Sequence, residues 1–333
     1  FLKKYDLPAN QLTEAAIEYY TLGYTYNYIG NIYLEFANID LAIENYQRAA
    51  IYFEESWKAF GKKMFIPYAK QSFIWWNITT ANIGITHYYS LSLENAKQFI
   101  ENAIDNLRKN DLGDHAIVGY LLERLSNPLI IGNDYEAAEK ALKEGLSVFE
   151  KADTAGFVLM GYSKLEAKAS LLSRLAQVYY KQNDRARFYN CINKIEAIFQ
   201  EYEAAGKEFF YQRKGSIFIE IAAALNHFEE YETALAYSTL ALKILTPNIE
   251  MGELIQSESK GKYNSVTIAK CLAIMAFSQK RLAKSNQDIE QLKLALSQFE
   301  NVIEIIERLR EKLSTQNLNL FSTESSIGNL ESW

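Results

Sequence analysis

The sequence predicts an all-α fold, a solenoid of stacked antiparallel helix hairpins with about twelve helices in six pairs. Three observations carry this. Residues Tyr26 to Phe53 hold two amphipathic helical patterns on either side of a short polar break at Asn38 to Asp40. Tyr26, Ile29, Gly30 and Tyr33 share one face of the first, and Ala42, Tyr46, Ala49 and Phe53 share one face of the second. Gly30 and Ala42 leave room for two backbones to approach, and the tyrosines fill the space around that contact. Second, one such hairpin cannot bury its own apolar faces, and the same alternation of small and large residues recurs down the chain. Third, the 333 residues are 49% hydrophobic and 14% aromatic, enough for a large core, while only 15 Gly and 4 Pro argue against disorder and against a turn-rich all-β fold.

In chain order, a first helix is expected from Asn10 to about Phe36, with Pro8 before it and Thr13 a candidate cap. Its partner follows the break at Asn38. After Gly61 and Pro67 a long helix runs through Trp75 and Trp76 to about Tyr89, where Ile83-Gly84 copies the Ile29-Gly30 step. The helix from Ser92 places Ala96, Ile100 and Ala103 where Ala42, Tyr46 and Ala49 stand in the opening pair. The third pair is expected from Asp114 to Asn127, ended by Pro128, then through Gly132-Asn133-Asp134 into a helix with Ala138, Leu142 and Gly145.

The fourth pair runs from about Gly156 to Lys181, turns at Gln182-Asn183-Asp184 and returns to about Tyr202; its small-residue position falls on Phe188, or on Ala186 if the register slips. The fifth spans about Gly206 to His227, turns at Glu229-Glu230-Tyr231, carries Ala234, Ser238 and Ala241, and ends at Pro247. The sixth starts near Ser257 with Ala269, Leu272 and Ala276, crosses a polar break from Lys284 to Asp288, and continues through Ala295, Phe299 and Val302 to about Leu313. From Ser314 the composition turns to Ser, Thr and Asn. Residues 1–313 are therefore read as the solenoid and 314–333 as a linker or flexible tail.

The formal net charge of −6 gives no footprint for nucleic acid or an anionic membrane. The longest apolar stretches, such as Ser216 to Leu225, are broken by Glu220 and too short to span a bilayer. No targeting signal is visible, so a soluble, cytoplasmic chain is expected, and the start without methionine suggests a processed or excised piece. Cys191 and Cys271 lie in apolar helical patterns and read as buried reduced thiols.

The pattern of Tyr26, Ile29-Gly30 and Tyr33 followed by Ala42, Tyr46 and Ala49 resembles the tetratricopeptide repeat family. The second pair matches through Ile83-Gly84, Ala96 and Ala103, with His87 replacing the tyrosine; the fourth keeps Leu175-Ala176 and Tyr179; the fifth keeps Ala222, Ala234 and Ala241. The third and sixth are degenerate. The resemblance implies a right-handed superhelix and a protein-binding role, not a chemistry, because the pattern residues are packing residues.

Nothing in the chain points to catalysis, a cofactor or a metal site. The three histidines, His87, His115 and His227, are not paired on one helix face, and there is no Cys-x-x-Cys and no phosphate loop; Gly61-Lys62-Lys63 and Gly261-Lys262-Tyr263 are loop lysines. Trp57, Trp75 and Trp76, with Phe65, Tyr68 and Phe73, read as core before a ligand cage.

A protein or peptide partner is the better prospect. In a curved stack the first helix of each pair lines the concave side. The residues there outside the packing pattern are Tyr24, Asn27, Asn31 and Glu35, then Asn82, Tyr88 and Tyr89, then Tyr120, Glu123, Arg124 and Asn127, then Arg174, Gln177 and Lys181, with Asn226 and His227 beyond. Amides and a guanidinium hydrogen-bond an extended peptide, and tyrosines supply stiff contact area.

The family's two-carboxylate clamp for chaperone tails maps Asn31, Asn82 and Arg124 onto its asparagine, asparagine and basic positions, but its two lysines fall on Asn27 and Tyr120, which removes most of the attraction for such a tail. RNA binding would need basic grooves and regular repeats. The alternative to a scaffold is a regulatory or sensor arm of a larger protein, because Ile305 to Ser314 and the Ser/Thr-rich continuation resemble the segment joining tetratricopeptide arrays to caspase-like CHAT protease domains in bacteria.

Overall fold

A computed structural model describes residues 9–35, 38–61, 67–153, 156–157, 161, 163–206, 210–246 and 265–312. Twelve α-helices and no strand occur among the described residues. They fall into two compact units, residues 1–162 and 163–333.

The first unit contains α1 (Ala9–Glu35), α2 (Ile39–Ala59), α3 (Pro67–Tyr89), α4 (Leu93–Lys109), α5 (Ala116–Ile131) and α6 (Tyr135–Lys151). Each helix packs on the next in chain order, so α2 lies between α1 and α3, and α4 between α3 and α5; α3 also touches α5 directly. The second contains α7 (Lys164–Lys181), α8 (Arg185–Ala204), α9 (Tyr211–His227), α10 (Tyr231–Leu245), α11 (Ser265–Asn286) and α12 (Ile289–Lys312). Here α7 packs on α8, α9 on α10, and α11 on both α10 and α12, while α9 also touches α7 and α11. Stacked antiparallel hairpins are the result in each unit.

The small residues do what their spacing predicts. A Cβ added at Gly30 would stand 2.7 Å from the Tyr46 ring, one at Gly84 would stand 2.8 Å from the backbone carbonyl of Ala96, and one at Gly119 would meet the Phe149 ring. All are closer than side chains pack, so the helix pairs sit nearer than alanine would allow. Ala42, Ala49, Ala96, Ala138, Ala234 and Ala241, the small residues of the second helices, are fully buried. In the fourth pair the pattern position is Phe188, which is fully buried, whereas Ala186 is exposed.

The hairpin turns share one chemistry. Leu91, Asn133, Asn183, Glu229 and Gln287 take positive φ, and each stands two residues before the start of the next helix. At Asn133 and Asn183 this is the αL helix end, with the N–H of Asp134 and Asp184 closing onto Leu129 and Tyr179 carbonyls at 2.8 Å. Asn38, Asp134, Asp184 and Asp288 then cap the returning helix, each accepting an N–H three residues on.

Four boundaries differ from the sequence reading. Thr13 lies inside the helix and not at its N-terminus, because α1 already begins at Ala9. Pro128 does not end its helix: α5 continues to Ile131. The lost backbone bond and ring clash cost roughly 3 kcal/mol, but the added turn buries Leu129 and Ile130, worth ~1.5–3 kcal/mol each, so burial wins. The fourth pair's first helix starts at Lys164 instead of near Gly156. Gly161 has φ +68 and interrupts the chain, and Ser163 with Glu166 then forms a capping box. The last polar break is shorter than expected, since α11 runs through Lys284 to Asn286. The expected helix start near Ser257 and the tail from Ser314 lie outside the described residues.

Candidate functional site

The first helices of the pairs carry the nominated partner-binding residues, and the structure sorts them by burial. On α1, Tyr24, Asn31 and Glu35 are exposed, but Asn27 is only 5% exposed. Its Oδ1 accepts hydrogen bonds from Thr79 Oγ1 at 3.2 Å and from Asn82 Nδ2 at 3.1 Å. Asn27 and Asn82 are thus brought together, as a polar tie between α1 and α3. The expectation that Asn27 is left free for a ligand is corrected by this. A buried amide gains more from two internal bonds than from waiting for a partner. Glu123 is likewise buried, at 7%. Asn31 is oriented from its own hairpin, its Oδ1 accepting the Tyr46 hydroxyl at 2.7 Å. Burial, then the nearby Tyr120 and Glu35, push the Tyr46 phenol well above its ordinary range, so it stays a donor. Tyr120 and Arg124 pair with each other, the guanidinium 4.9 Å from the ring centroid. Tyr88 and Tyr89 are half-buried with rings 5.3 Å apart, and Asn127 is half-buried on α5.

The second unit repeats the theme. Ser173 on α7 donates to Glu220 Oε2 on α9 at 2.5 Å, and Arg174 reaches the other carboxylate oxygen at 3.2 Å while donating to Gln177 at 3.1 Å. Six residues further along α9, Asn226 donates to the Ile274 carbonyl at 3.3 Å and accepts Ser278 Oγ at 2.8 Å from α11. Arg174 and Asn226 are therefore structural ties as well, and Gln177, half-buried, accepts from Arg174 on its own helix. Lys181 is exposed, its ammonium 5.3 Å from the Tyr180 ring, and His227 is exposed beside that ring.

What remains accessible is a face of α1. Ile17, Thr21, Tyr24, Tyr28 and Ile32 follow one another at helical spacing, and all are exposed, Tyr28 most of all at 63%. Asn31 and Glu35 sit beside them. Tyr24 is anchored edge-on against Trp75, 5.3 Å between centroids. Along its whole length α1 carries Glu14, Glu18 and Glu35 and no basic residue. Ile17, Tyr28 and Ile32 were missed in the sequence because they fall off the packing pattern. Their signal was available: apolar residues at i, i+4 spacing on the side of the helix that Gly23 and Gly30 do not use.

Of the three clustered tryptophans, Trp57 is buried and Trp75 and Trp76 are half-buried. Trp57 lies 4.6 Å from Phe73 and 5.4 Å from Trp76, and Trp75 stacks on Phe53, joining α2 to α3. His87 is half-buried and stacked on Phe99, and burial lowers its pKa. His115 caps α5, its Nδ1 accepting the Ile117 N–H at 3.3 Å; burial, helped by Lys70 and opposed by Asp153, lowers its pKa. Both cysteines are buried, and Cys271, pushed up to about 12 by burial, donates to the Ser238 carbonyl. Among the described residues no group of three or more His, Cys, Asp and Glu could hold a metal ion, and no helix is long and apolar enough to cross a membrane. Chemically, the arrangement offers contact area and hydrogen bonds.

No family model matches the chain, and no curated protein matches its sequence. Among solved structures it is similar to BtubC (BKLC) from P. vanneervenii, at 11% identity over 80% of this chain and 92% of that one, with a TM-score of 0.54. Two others align over 91% of this chain and 99% of theirs but superpose poorly. They are the TPR2AB domain of yeast Sti1 in complex with pHSP90 (16% identity, TM-score 0.28) and the TPR domain of P58(IPK) (14%, TM-score 0.14). The likeness to BtubC speaks to the fold alone. Taken with the hairpins described above, with glycine or alanine at the crossing and an αL turn between the helices, it gives the chain an all-α fold of stacked helix hairpins.

Proposed function

We propose that this chain is a non-catalytic scaffold that holds a protein segment on the exposed face of α1. The observation that carries the reading is the stripe Ile17, Thr21, Tyr24, Tyr28 and Ile32, four turns of exposed apolar and tyrosine surface flanked only by carboxylates. Tyrosines presented at low entropy cost are the residues interfaces favour. With Oδ1 of Asn31 held by Tyr46, its Nδ2 is the atom placed to donate to a partner carbonyl. Glu14, Glu18 and Glu35 select for basic residues, so the partner is a segment with apolar anchors flanked by Lys or Arg. The same carboxylates disfavour a nucleic-acid backbone. The reading places the chain in the cytoplasm, where buried thiols such as Cys191 and Cys271 stay reduced.

The test is site-specific photo-crosslinking with a library of basic, aromatic-containing peptides. A crosslinker at Tyr28 should capture peptide, and one at Ile51, equally exposed but on α2, should not. Tyr24→Glu should abolish capture. Equal labelling at both positions, or capture indifferent to Tyr24→Glu, would sink the assignment of this face.

A further inference from the structure

The last helix has two apolar faces, and only one of them is used. Ala295, Gln298, Val302 and Ile305 are buried in the hairpin with α11. A second stripe runs beside them at 3, 4, 3, 4, 3 spacing: Ile289, Leu292, Leu296, Phe299, Ile303 and Ile306. Ile289, Leu296 and Ile303 are 67%, 60% and 55% exposed, and Leu292, Phe299 and Ile306 are half-buried. Alternation of 3 and 4 is the heptad seam of a left-handed coiled coil, with the exposed residues at one core position and the half-buried ones at the other. A helix that merely faced water would not keep this register over five steps.

We infer that α12 pairs antiparallel with α12 of a second copy of this chain. The charges flanking the seam choose both partner and direction. One edge carries Lys293, Glu300 and Glu307 at heptad intervals; the other is the edge already packed against α11. In an antiparallel pair, Ile289 lies near Ile306 of the partner subunit and Leu296 near Phe299 of the partner subunit. Lys293 then faces Glu300 of the partner subunit, and the contact occurs twice by symmetry. A parallel pair would set Glu300 and Glu307 against positions 295 and 302 of the other copy, where Ala295 and Val302 are already buried in the hairpin, and would offer Lys293 only Asp288, whose carboxylate already caps α12 through the Gln291 N–H.

Among the described residues Lys293 pairs with Glu290, at 2.8 Å, with both side chains largely exposed, a pair weak enough to be exchanged. The chain beyond Lys312 is a poor alternative occupant. Residues 313–333 contain Glu324 and Glu331 but no Lys or Arg, so they offer nothing to Glu300 and Glu307, and although Leu313, Leu320 and Ile327 stand seven residues apart, the second core position alternating with them falls on Asn317 and Glu324. Because α12 is already formed within its hairpin, pairing costs little ordering entropy. The seam is short, so an affinity on the order of micromolar is expected.

Sedimentation equilibrium of the full chain over a concentration series tests this. The expected result is a reversible monomer–dimer equilibrium that Leu296→Glu abolishes. Since Leu296 is exposed, that variant should keep the wild-type helix signal by circular dichroism. Lys293→Glu and Glu300→Lys should each weaken the dimer by about tenfold, the loss of two facing pairs, and the double exchange should restore it. A chain that stays monomeric at every concentration overturns the proposal, as does a dimer indifferent to Leu296→Glu. Failure of the double exchange to restore affinity overturns the antiparallel pairing. None of these outcomes depends on what binds α1.

Discussion

Gly84→Ala tests the close approach on which the hairpins depend. In a helix interior alanine is favoured over glycine by about 1 kcal/mol, so propensity alone predicts a more stable protein. Packing predicts the reverse. The added methyl would lie 2.8 Å from the Ala96 carbonyl oxygen and 3.0 Å from both Ile100 Cγ1 and Phe99 Cβ. To reach an ordinary contact of at least 3.4 Å, α4 must move as a body, because a carbonyl inside a helix has no rotamer to escape into. Overpacking of this kind costs ~1–3 kcal/mol, so the net effect should be a loss of about 1 kcal/mol.

Repeat arrays unfold by hairpin, not only globally, and hydrogen exchange of the α3 and α4 amides is therefore the assay, with the α9 amides as an internal reference. Gly113→Ala is the control. Its nearest neighbour would be Arg108 Cγ at 3.7 Å, and its φ is not in the left-handed region, so it should stabilise by roughly 0.4–1 kcal/mol. If Gly84→Ala slowed exchange as Gly113→Ala does, the reasoning that backbone contact sets the helix spacing would be refuted.

Further outcomes follow from single groups. Acid should weaken the first unit through His115: its folded pKa is depressed, so its contribution is complete above the unfolded value near 6.5 and is lost as pH falls through the folded one. His115→Asn keeps a cap while removing that titration, and a urea series across this window should show a flatter pH dependence, with the remainder due to His87. Leu91 is exposed and holds φ +61 in a turn, a conformation costing about 1–2 kcal/mol for a branched residue. Leu91→Gly should therefore raise the melting temperature, by an amount calorimetry reads as ~0.5–1 kcal/mol once the chain-entropy penalty of glycine is deducted. Asn226→Ala should cost about 1–3 kcal/mol, since it removes two buried hydrogen bonds, to Ser278 Oγ and to the Ile274 carbonyl, at about 0.5–1.5 kcal/mol each, while Ser278 keeps its own bond to the Ile274 carbonyl. Faster exchange in both α9 and α11 would mark it as a tie between hairpins, whereas an effect confined to α9 would not.

The hairpins were legible because their code is local. Gly30 against Tyr46 and Gly84 against Ala96 are contacts between helices joined by a short turn, and the glycine, the large residue and the turn all appear within about one repeat of sequence. Where the reading failed, a longer-range term decided the outcome. Pro128 carries a strong local stop signal, and only the burial of Leu129 and Ile130 against their neighbours overrides it. Gly156 begins a helical-looking run, but the segment packs back on Ala116 and Phe149 in the first unit, and the chain must turn at Gly161 before α7 can start.

The candidate site was legible in residue type and illegible in exposure, and Asn27 and Asn31 show why. They are one helical turn apart, of the same type, on nearly the same side of α1. Asn31 looks to its own hairpin, where Tyr46 holds it at the surface; Asn27 looks to the next first helix, where Thr79 and Asn82 close over it. Spacing along one helix cannot distinguish these, because the difference is set by how near α3 lies. Arg174 and Asn226 followed the same course in the second unit. Stacked first helices need polar ties as well as apolar ones, since an apolar contact can slide along the helix axis whereas a hydrogen-bonded amide fixes one register. The polar residues of such a face thus divide into those that hold the stack in register and those left over. In this chain the surfaces left over include the tyrosine stripe of α1 and the unused heptad seam of α12, and, Phe299 apart, both were visible in the sequence only as residues that the packing pattern did not need.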